Sequence, residues 1–320
     1  MQITPGLSVF WRETDQIQIG LDTRTGIVLE GLNAAELAMV DSLTRPQGEI
    51  ELRERARKTR IPVARLSNIL SMLRRANVLV DEVPPIPDSA AWLRTRHAVP
   101  FQRADVSVEF SRLNYVSVAI ALLLADAGIG GISSTDETSI GTNDHPLLVG
   151  QYFAMPLLRA LTKVLRERYP EIRLGGVAPG IAVVSGSHLV DPVVSRTYLA
   201  RELPVLHVWI EEVDIFVGPF SRPRDGACGS CLYLHRRDND PLWDRIAPQA
   251  LGAREILGDI SAMQLAATLA AREIIAFADE DQPTLTNRMW RIGPNNAPPE
   301  LLEITPHPDC GCQKQPDYAG

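Results

Sequence analysis

The chain opens with three short runs in which apolar residues cluster or alternate with polar ones: Leu7 to Trp11, then Ile17, Ile19 and Leu21, then Ile27, Val28 and Leu29. The last two are separated by Asp22-Thr23-Arg24-Thr25-Gly26, a polar, glycine-ended stretch suited to turning one strand into the next. The pattern predicts three short strands. From residue 33 the period lengthens. Asn33 is a good N-cap for a helix over Ala34 to Leu43, and Pro46-Gln47-Gly48 stops it. Glu49 to Thr59 makes a second helix. Pro62 stands where a third can start, with Val63, Leu66, Leu70 and Leu73 on one apolar stripe. Three strands and three helices within residues 1–82 predict a winged-helix-like domain.

Val83-Pro84-Pro85-Ile86-Pro87-Asp88 interrupts this pattern. Proline fixes φ and favours stiff, extended backbone, so a linker is expected over residues 83–97 and a second domain over 98–320. There strands and helices alternate. Val106 to Val108 leads into a helix from Val116 to Ala127, which Gly128-Ile129-Gly130-Gly131 closes, and Ile132 to Thr135 resumes as strand. Later strands are expected at Gly180 to Ser185, Val205 to Trp209 and Ile215 to Val217, and a long amphipathic helix over Ser261 to Phe277. That order predicts a doubly wound α/β fold.

Composition narrows the function. A length of 320 residues suits two domains, and 45% hydrophobic with 22% charged residues allows a sizeable core. A net charge of −7 argues against nucleic acid as the main partner. No basic start leads into an apolar run, and the longest apolar stretch, Val116 to Leu124, is too short to span a bilayer. A cytoplasmic protein without a membrane partner is expected. Within it residues 51–77 are basic: Arg53, Arg55, Arg57, Lys58, Arg60, Arg65, Arg74 and Arg75 stand against Glu51 and Glu54. Such a face is either solvated or meets an acidic ligand; in a winged-helix module DNA is the other reading.

The four cysteines fall in two knuckles, Cys228-Gly-Ser-Cys231 and Cys310-Gly-Cys312. In a reducing compartment, paired cysteines read as metal ligands before disulfides. Four thiolates suit tetrahedral Zn²⁺ and leave no open position, so the metal is expected to be structural. His307 is the alternative fourth ligand. Three other clusters invite chemistry. Ser185-Gly186-Ser187-His188 offers a hydroxyl beside a base, Glu211, Glu212 and Asp214 a carboxylate group, and His235-Arg236-Arg237 a cationic one. Neighbours in sequence seldom have triad geometry, and they read more simply as a small-residue loop at a strand end, a structural or partner-contacting strand–turn, and a helix-end or surface cluster.

The second domain resembles the ThiF-type adenylating enzymes. The residues that carry the resemblance are Ala127-Gly128-Ile129-Gly130 after a strand–helix start, Asp136 at the end of the next strand, Val149-Gly150-Gln151 before a helix, and the cysteine knuckles. Val208-Trp209-Ile210-Glu211-Glu212, Val217-Gly218-Pro219-Phe220 and the ending His307-Pro308-Asp309-Cys310-Gly311-Cys312 narrow it. Together they look like the ocin-ThiF-like, or F, proteins of thiazole/oxazole-modified peptide (RiPP) biosynthesis. The resemblance covers nearly the whole chain.

Its departures concern the nucleotide site. Active relatives open with a Gly-x-Gly-x-x-Gly turn whose bare backbone admits phosphates to a helix N-terminus. Here that turn falls on Arg112, Asn114 and Ser117, with Tyr115 and Val116 adding bulk. The family's Asn-x-x-Arg meets Asn143-Asp144-His145-Pro146-Leu147, without the arginine, and its lysine meets Tyr152-Phe153-Ala154. Asp191, with Arg196 after it, is the counterpart of the Mg²⁺-binding aspartate.

The resemblance therefore implies a non-catalytic partner of a YcaO-type cyclodehydratase, with structural zinc and no ATP. It would bind a precursor peptide by its leader, and homodimerisation is left open. In such recognition elements the ligand adds a strand to the third strand and rests on the third helix. That places the groove at Gly26, Ile27, Val28, Leu29 and Glu30, with Arg65, Ile69, Met72 and Arg75 from the helix. The same helix positions could instead serve the core or the surface. An ATP-dependent adenylating enzyme and a winged-helix DNA-binding regulator are the alternatives.

Overall fold

The computed structural model describes residues 1–176, 178–253, 256–294 and 297–313. The chain divides into two compact units, Met1–Phe101 and Gln102–Gly320.

In the first unit, β1 (Gln2–Ile3) precedes the strands β2 (Val9–Glu13), β3 (Gln16–Ile19) and β4 (Ile27–Leu29), which form an antiparallel sheet in chain order. Ile17 pairs with Leu29 and Ile19 with Ile27, so alternation turns one face of β3 inward; both isoleucines are fully buried. Leu21, read above as part of the second strand, is 70% exposed in the turn. Then come α1 (Ala34–Ser42), α2 (Glu49–Lys58) and α3 (Val63–Arg75), with β5 (Leu79–Val80) pairing back on β1. Asn33 caps α1 by a capping box: its side chain accepts from the Glu36 N–H and the Glu36 carboxylate accepts from its own, both at 3.0 Å. Leu66, Ile69, Leu70 and Leu73 carry α3 into the core. Part of the segment read as linker is a helix, α4 (Ser89–Arg96), with Arg94 donating to the Pro5 carbonyl at 2.6 Å.

The second unit is built on β6 (Ser107–Phe110), α5 (Tyr115–Asp126), β7 (Gly131–Ser134), α6 (Pro146–Tyr152), α7 (Leu157–Arg168), β8 (Arg173–Leu174) and β9 (Ile181–Ser187). These are followed by α8 (Pro192–Ala200), β10 (Val205–Glu211), β11 (Asp214–Ser221), α9 (Gly229–Asn239), α10 (Trp243–Leu251), α11 (Ile260–Ala278), β12 (Arg288–Ile292) and β13 (Glu300–Glu303). The eight strands lie in the order β13-β12-β11-β10-β9-β6-β7-β8; β8 to β10 run parallel, and β11 to β13 extend the sheet antiparallel. Strands buried on both faces must be apolar throughout. In β9, Ile181 and Val183 join the core with α5 and α11, while Ala182 and Val184 join the one with α8.

Gly128 ends α5 as the sequence suggests, with φ +89° and the Ile129 N–H returning to the Leu124 carbonyl at 3.0 Å. Among the described residues one helix, α11, has the length and hydropathy of a membrane span. Its buried stripe, Ala262, Ala266, Ala270 and Ile274, belongs to the core.

Behind β6, Arg103 makes two 2.7 Å hydrogen bonds to the Asp279 carboxylate and a third to the Ala127 carbonyl, and both side chains are almost completely buried. The pair ties the ends of α5 and α11 to the strand that enters the sheet. Asp279→Ala removes the carboxylate that takes two hydrogen bonds from this buried guanidinium and is expected to cost about 3–5 kcal/mol of unfolding free energy. Denaturant titration checks this; a loss below about 1 kcal/mol would show that the pair is not holding these ends.

Candidate functional site

The cysteines converge. Cys228 is the N-cap residue of α9 and Cys231 lies in its first turn, where aligned backbone N–H groups favour thiolate. Cys310 and Cys312 come from the segment after β13. Their Sγ atoms lie 3.8 Å (Cys228–Cys231), 3.7 Å (Cys228–Cys310) and 3.5 Å (Cys231–Cys312) apart, all four within 4.8 Å of one another. A tetrahedron with Zn–S bonds of about 2.3 Å has edges of about 3.8 Å, whereas a disulfide needs about 2.05 Å. The cluster is compatible with a structural zinc. Hydrogen bonds from the Cys228 and Cys312 thiols hold Cys231 well below the ordinary thiol range; bonding to Cys231 pushes Cys228 up, and bonding to Cys228 and then Cys231 pushes Cys312 up. Four thiolates can coexist here only around a cation.

His307 is not needed as a ligand. Its backbone N–H donates to the Cys231 sulfur at 3.3 Å, while its ring pairs with Asp238 at 2.8 Å and accepts from the Asp309 N–H. A buried relay, absent from the sequence reading, supports the knuckle. The Gly229 N–H donates to Ser195 Oγ at 3.1 Å, Ser195 Oγ contacts His207 Nε2 at 2.8 Å, and His207 Nδ1 reaches the Pro219 carbonyl at 2.8 Å. A carbonyl can only accept, so Nδ1 carries the proton and Nε2 accepts from the serine hydroxyl. Both side chains are fully buried, which makes this support rather than a nucleophile–base pair.

The second location is the crevice at the C-terminal ends of β6 and β9, where the strand order reverses. A cavity of about 440 Å³ lies there, lined by Arg112, Asp136, Ser185, Ser187 and Asp191 among others. Two amides at the start of α5 have side-chain acceptors: Asn114 Oδ1 takes the Ser117 N–H, in the first turn, at 3.0 Å, and Asp136 Oδ2 takes the Leu113 N–H, just before the helix, at 2.6 Å. Ser117 Oγ also bonds Ser185 Oγ at 2.9 Å, filling the place a glycine would leave open. Asp191 caps α8, accepting from the Val193 N–H at 2.8 Å and the Val194 N–H at 3.3 Å, and Arg196 lines a different cavity, with the cysteines. Tyr152 is buried, with the Lys163 ammonium 5.6 Å from its ring centre, a cation that the sequence reading missed. Burial raises the Asp144 pKa, and the neighbouring Asp136 charge raises it further.

In the first unit, β4 is an edge strand with β3 as its neighbour, and Val28 is exposed. Gly26, Ile27 and Leu29 are half-buried to buried, and Glu30 is exposed. Two of the helix positions have roles within the unit. Ile69 is fully buried in its core, because its position on α3 falls within the inward stripe. Arg65 is held by Glu36, at 2.8 Å, and by the Gly31 carbonyl, at 2.9 Å, and so fixes the backbone after β4. Met72 is half-buried and Arg75 exposed.

The remaining clusters do not assemble catalytic geometry. Ser185 Oγ bonds the Arg112 carbonyl, His188 faces Glu212 at 3.2 Å, and Glu211 is ion-paired with Arg236. His235 contacts the Thr305 carbonyl.

No protein-family model matches this sequence, and no curated protein matches it. Solved structures do. Over 98% of both chains it superposes on E. coli MccB with succinimide (TM-score 0.64, 16% identity). The microcin C7 biosynthetic enzyme MccB in complex with N-formylated MccA gives the same score and identity over 98% and 99%. The chain has the MccB fold. A structure of PaaA agrees over 93% of this chain and 98% of its own (TM-score 0.64, 12% identity), and MccB has also been solved with ATP. At such identities the likeness shows the fold and nothing more.

His207 sets a pH dependence. Burial depresses it from 6.5 to about 4, against a smaller opposing pull from the Pro219 carbonyl. Between these values the unfolded chain binds the extra proton, so this contribution is full above about pH 6.5 and is lost as pH falls toward 4. The loss is on the order of 3 kcal/mol. Thermal unfolding between pH 7 and 4 checks it. His207→Gln keeps a donor and an acceptor without the titration and is expected to flatten that part of the slope.

Proposed function

We propose that this protein binds the leader of a ribosomal precursor peptide and presents the rest of that peptide to a separate, YcaO-type cyclodehydratase for azoline formation. In this reading residues 1–82 are a winged-helix-like recognition domain, 83–97 lead into the second domain, and 98–320 are a ThiF-type domain that no longer adenylates. The leader adds a strand to β4 and rests beside Met72 and Arg75, while the basic face of α2 and α3 favours an acidic leader. MccB lends support, since its partner MccA has been labelled with selenomethionine and N-formylated, the chemistry of a polypeptide.

The observation that carries the non-catalytic half is the start of α5. A nucleotide phosphate needs bare amides where the chain enters that helix, and two amides there, of Leu113 before it and Ser117 in its first turn, are bonded to the chain's own Asp136 and Asn114. An active adenylating enzyme is the second reading, favoured by the crevice cavity and by the MccB structure with ATP. Substrate-dependent pyrophosphate exchange decides between them: it is expected to be absent, and its presence would establish the second reading.

Fluorescence polarisation of a labelled leader on the full chain is expected to show saturable binding that weakens at least tenfold in Val28→Pro, which removes a ladder donor and constrains φ. Wild-type affinity in a folded Val28→Pro protein would rule out strand addition at β4.

Elemental analysis is expected to find about one zinc per chain. Cys231→Ser should lose the metal and lower the unfolding temperature. Metal-free wild type with four freely titrating thiols would rule the site out.

A further inference from the structure

On the face of the large sheet away from α5 and α11, a cavity of about 160 Å³ lies under α9 and α10. Its floor is the stacked pair Trp209 and Phe216, with ring centres 4.7 Å apart and planes 11° from parallel. Leu232, Met289 and Trp243 form walls. Trp243 is 8% exposed, yet its indole N–H has no acceptor. The other buried unpartnered groups among the described residues, on Thr4, Ser107 and Ser133, are hydroxyls that can rotate. An indole N–H cannot; it donates in one direction, and leaving it buried and unmet is costly. The charges at the rim are matched: Arg236 lies over the Trp243 ring, 5.3 Å from its centre, and is ion-paired with Glu211.

A cavity near this size holds one benzene-sized group. The aromatic floor suits a flat ring, the matched rim favours a neutral group over a charged one, and the unmet N–H asks for an acceptor close to that ring. An aromatic amino-acid residue within a polypeptide supplies all three. We propose that this cavity is an anchor site for one phenylalanine-like side chain of a polypeptide partner, whose main-chain carbonyl accepts the Trp243 indole N–H. Every residue involved lies in the second unit, so the site stands independently of leader binding at β4.

The probe is N-acetyl-phenylalaninamide, titrated into the ¹⁵N-labelled full chain while the indole N–H resonances are followed. The Trp243 signal is identified by its loss in Trp243→Phe. It is expected to move saturably with a Kd on the order of 1 mM, and to stay in place with N-acetyl-alaninamide. Trp243→Phe keeps the ring and removes the donor; followed at the Trp209 indole, it is expected to bind about fivefold more weakly. A Trp243 signal unmoved by the phenylalanine probe, or moved as far by the alanine one, would overturn the site. Unchanged affinity in Trp243→Phe would overturn the carbonyl contact.

Discussion

Helices begin with amides that point along the axis and find no acceptor inside the helix. What meets them decides much of this molecule. At α1, α8 and α11 an Asn33, Asp191 or Asp259 side chain closes the end, and the helix is simply a well-capped element. At α5 the same device stands at the mouth of the crevice, where a Rossmann-like fold elsewhere receives its phosphates. At α9 a side-chain cap is replaced by sulfurs gathering over the helix end, while Ser195 takes the Gly229 amide from below. Two helix ends in one sheet architecture therefore have opposite characters. One is capped by the chain's own oxygens; the other concentrates negative charge that asks for a cation.

Between these ends the second unit is held by polar groups that could not be buried unless fully met. Arg103 and Asp279 close one side of the core. Glu273 takes the Thr284 and Leu285 amides at 2.7 and 3.1 Å, fixing the turn after α11. His207, deep in β10, joins a strand to the cysteine knuckle. Each of these groups has its partner fixed, so the polar interior allows little freedom of packing.

The sequence revealed what local physics controls. Asn33 gave the start of α1, Gly128 the end of α5, and the spacing of the cysteines gave a cluster that the folded chain assembles across about eighty intervening residues. It misled where a side chain's direction depends on tertiary packing. Ile69 sits one position from the stripe drawn through Leu66, Leu70 and Leu73, and a helix this well covered buries both edges of its stripe. The pairing of Arg65 with Glu36 was likewise invisible, because the two lie on different helices. The Ser195–His207 relay had no signal at all, since neither residue stands in a motif.

The cap on α5 sets an order of costs. Asn114 and Ser117 close the start of this helix with the chain's own oxygens, whereas a glycine-rich turn is a weak start that a ligand must complete. Glycines in their place would remove the cap and the Ser117–Ser185 hydroxyl contact, and would add backbone freedom costing about 1 kcal/mol at each helical position. All of that is lost before any phosphate can bind in return. A capped helix end and a phosphate cradle are thus alternatives separated by a few side chains, and in passing from the first to the second the loss of stability comes before any gain in binding.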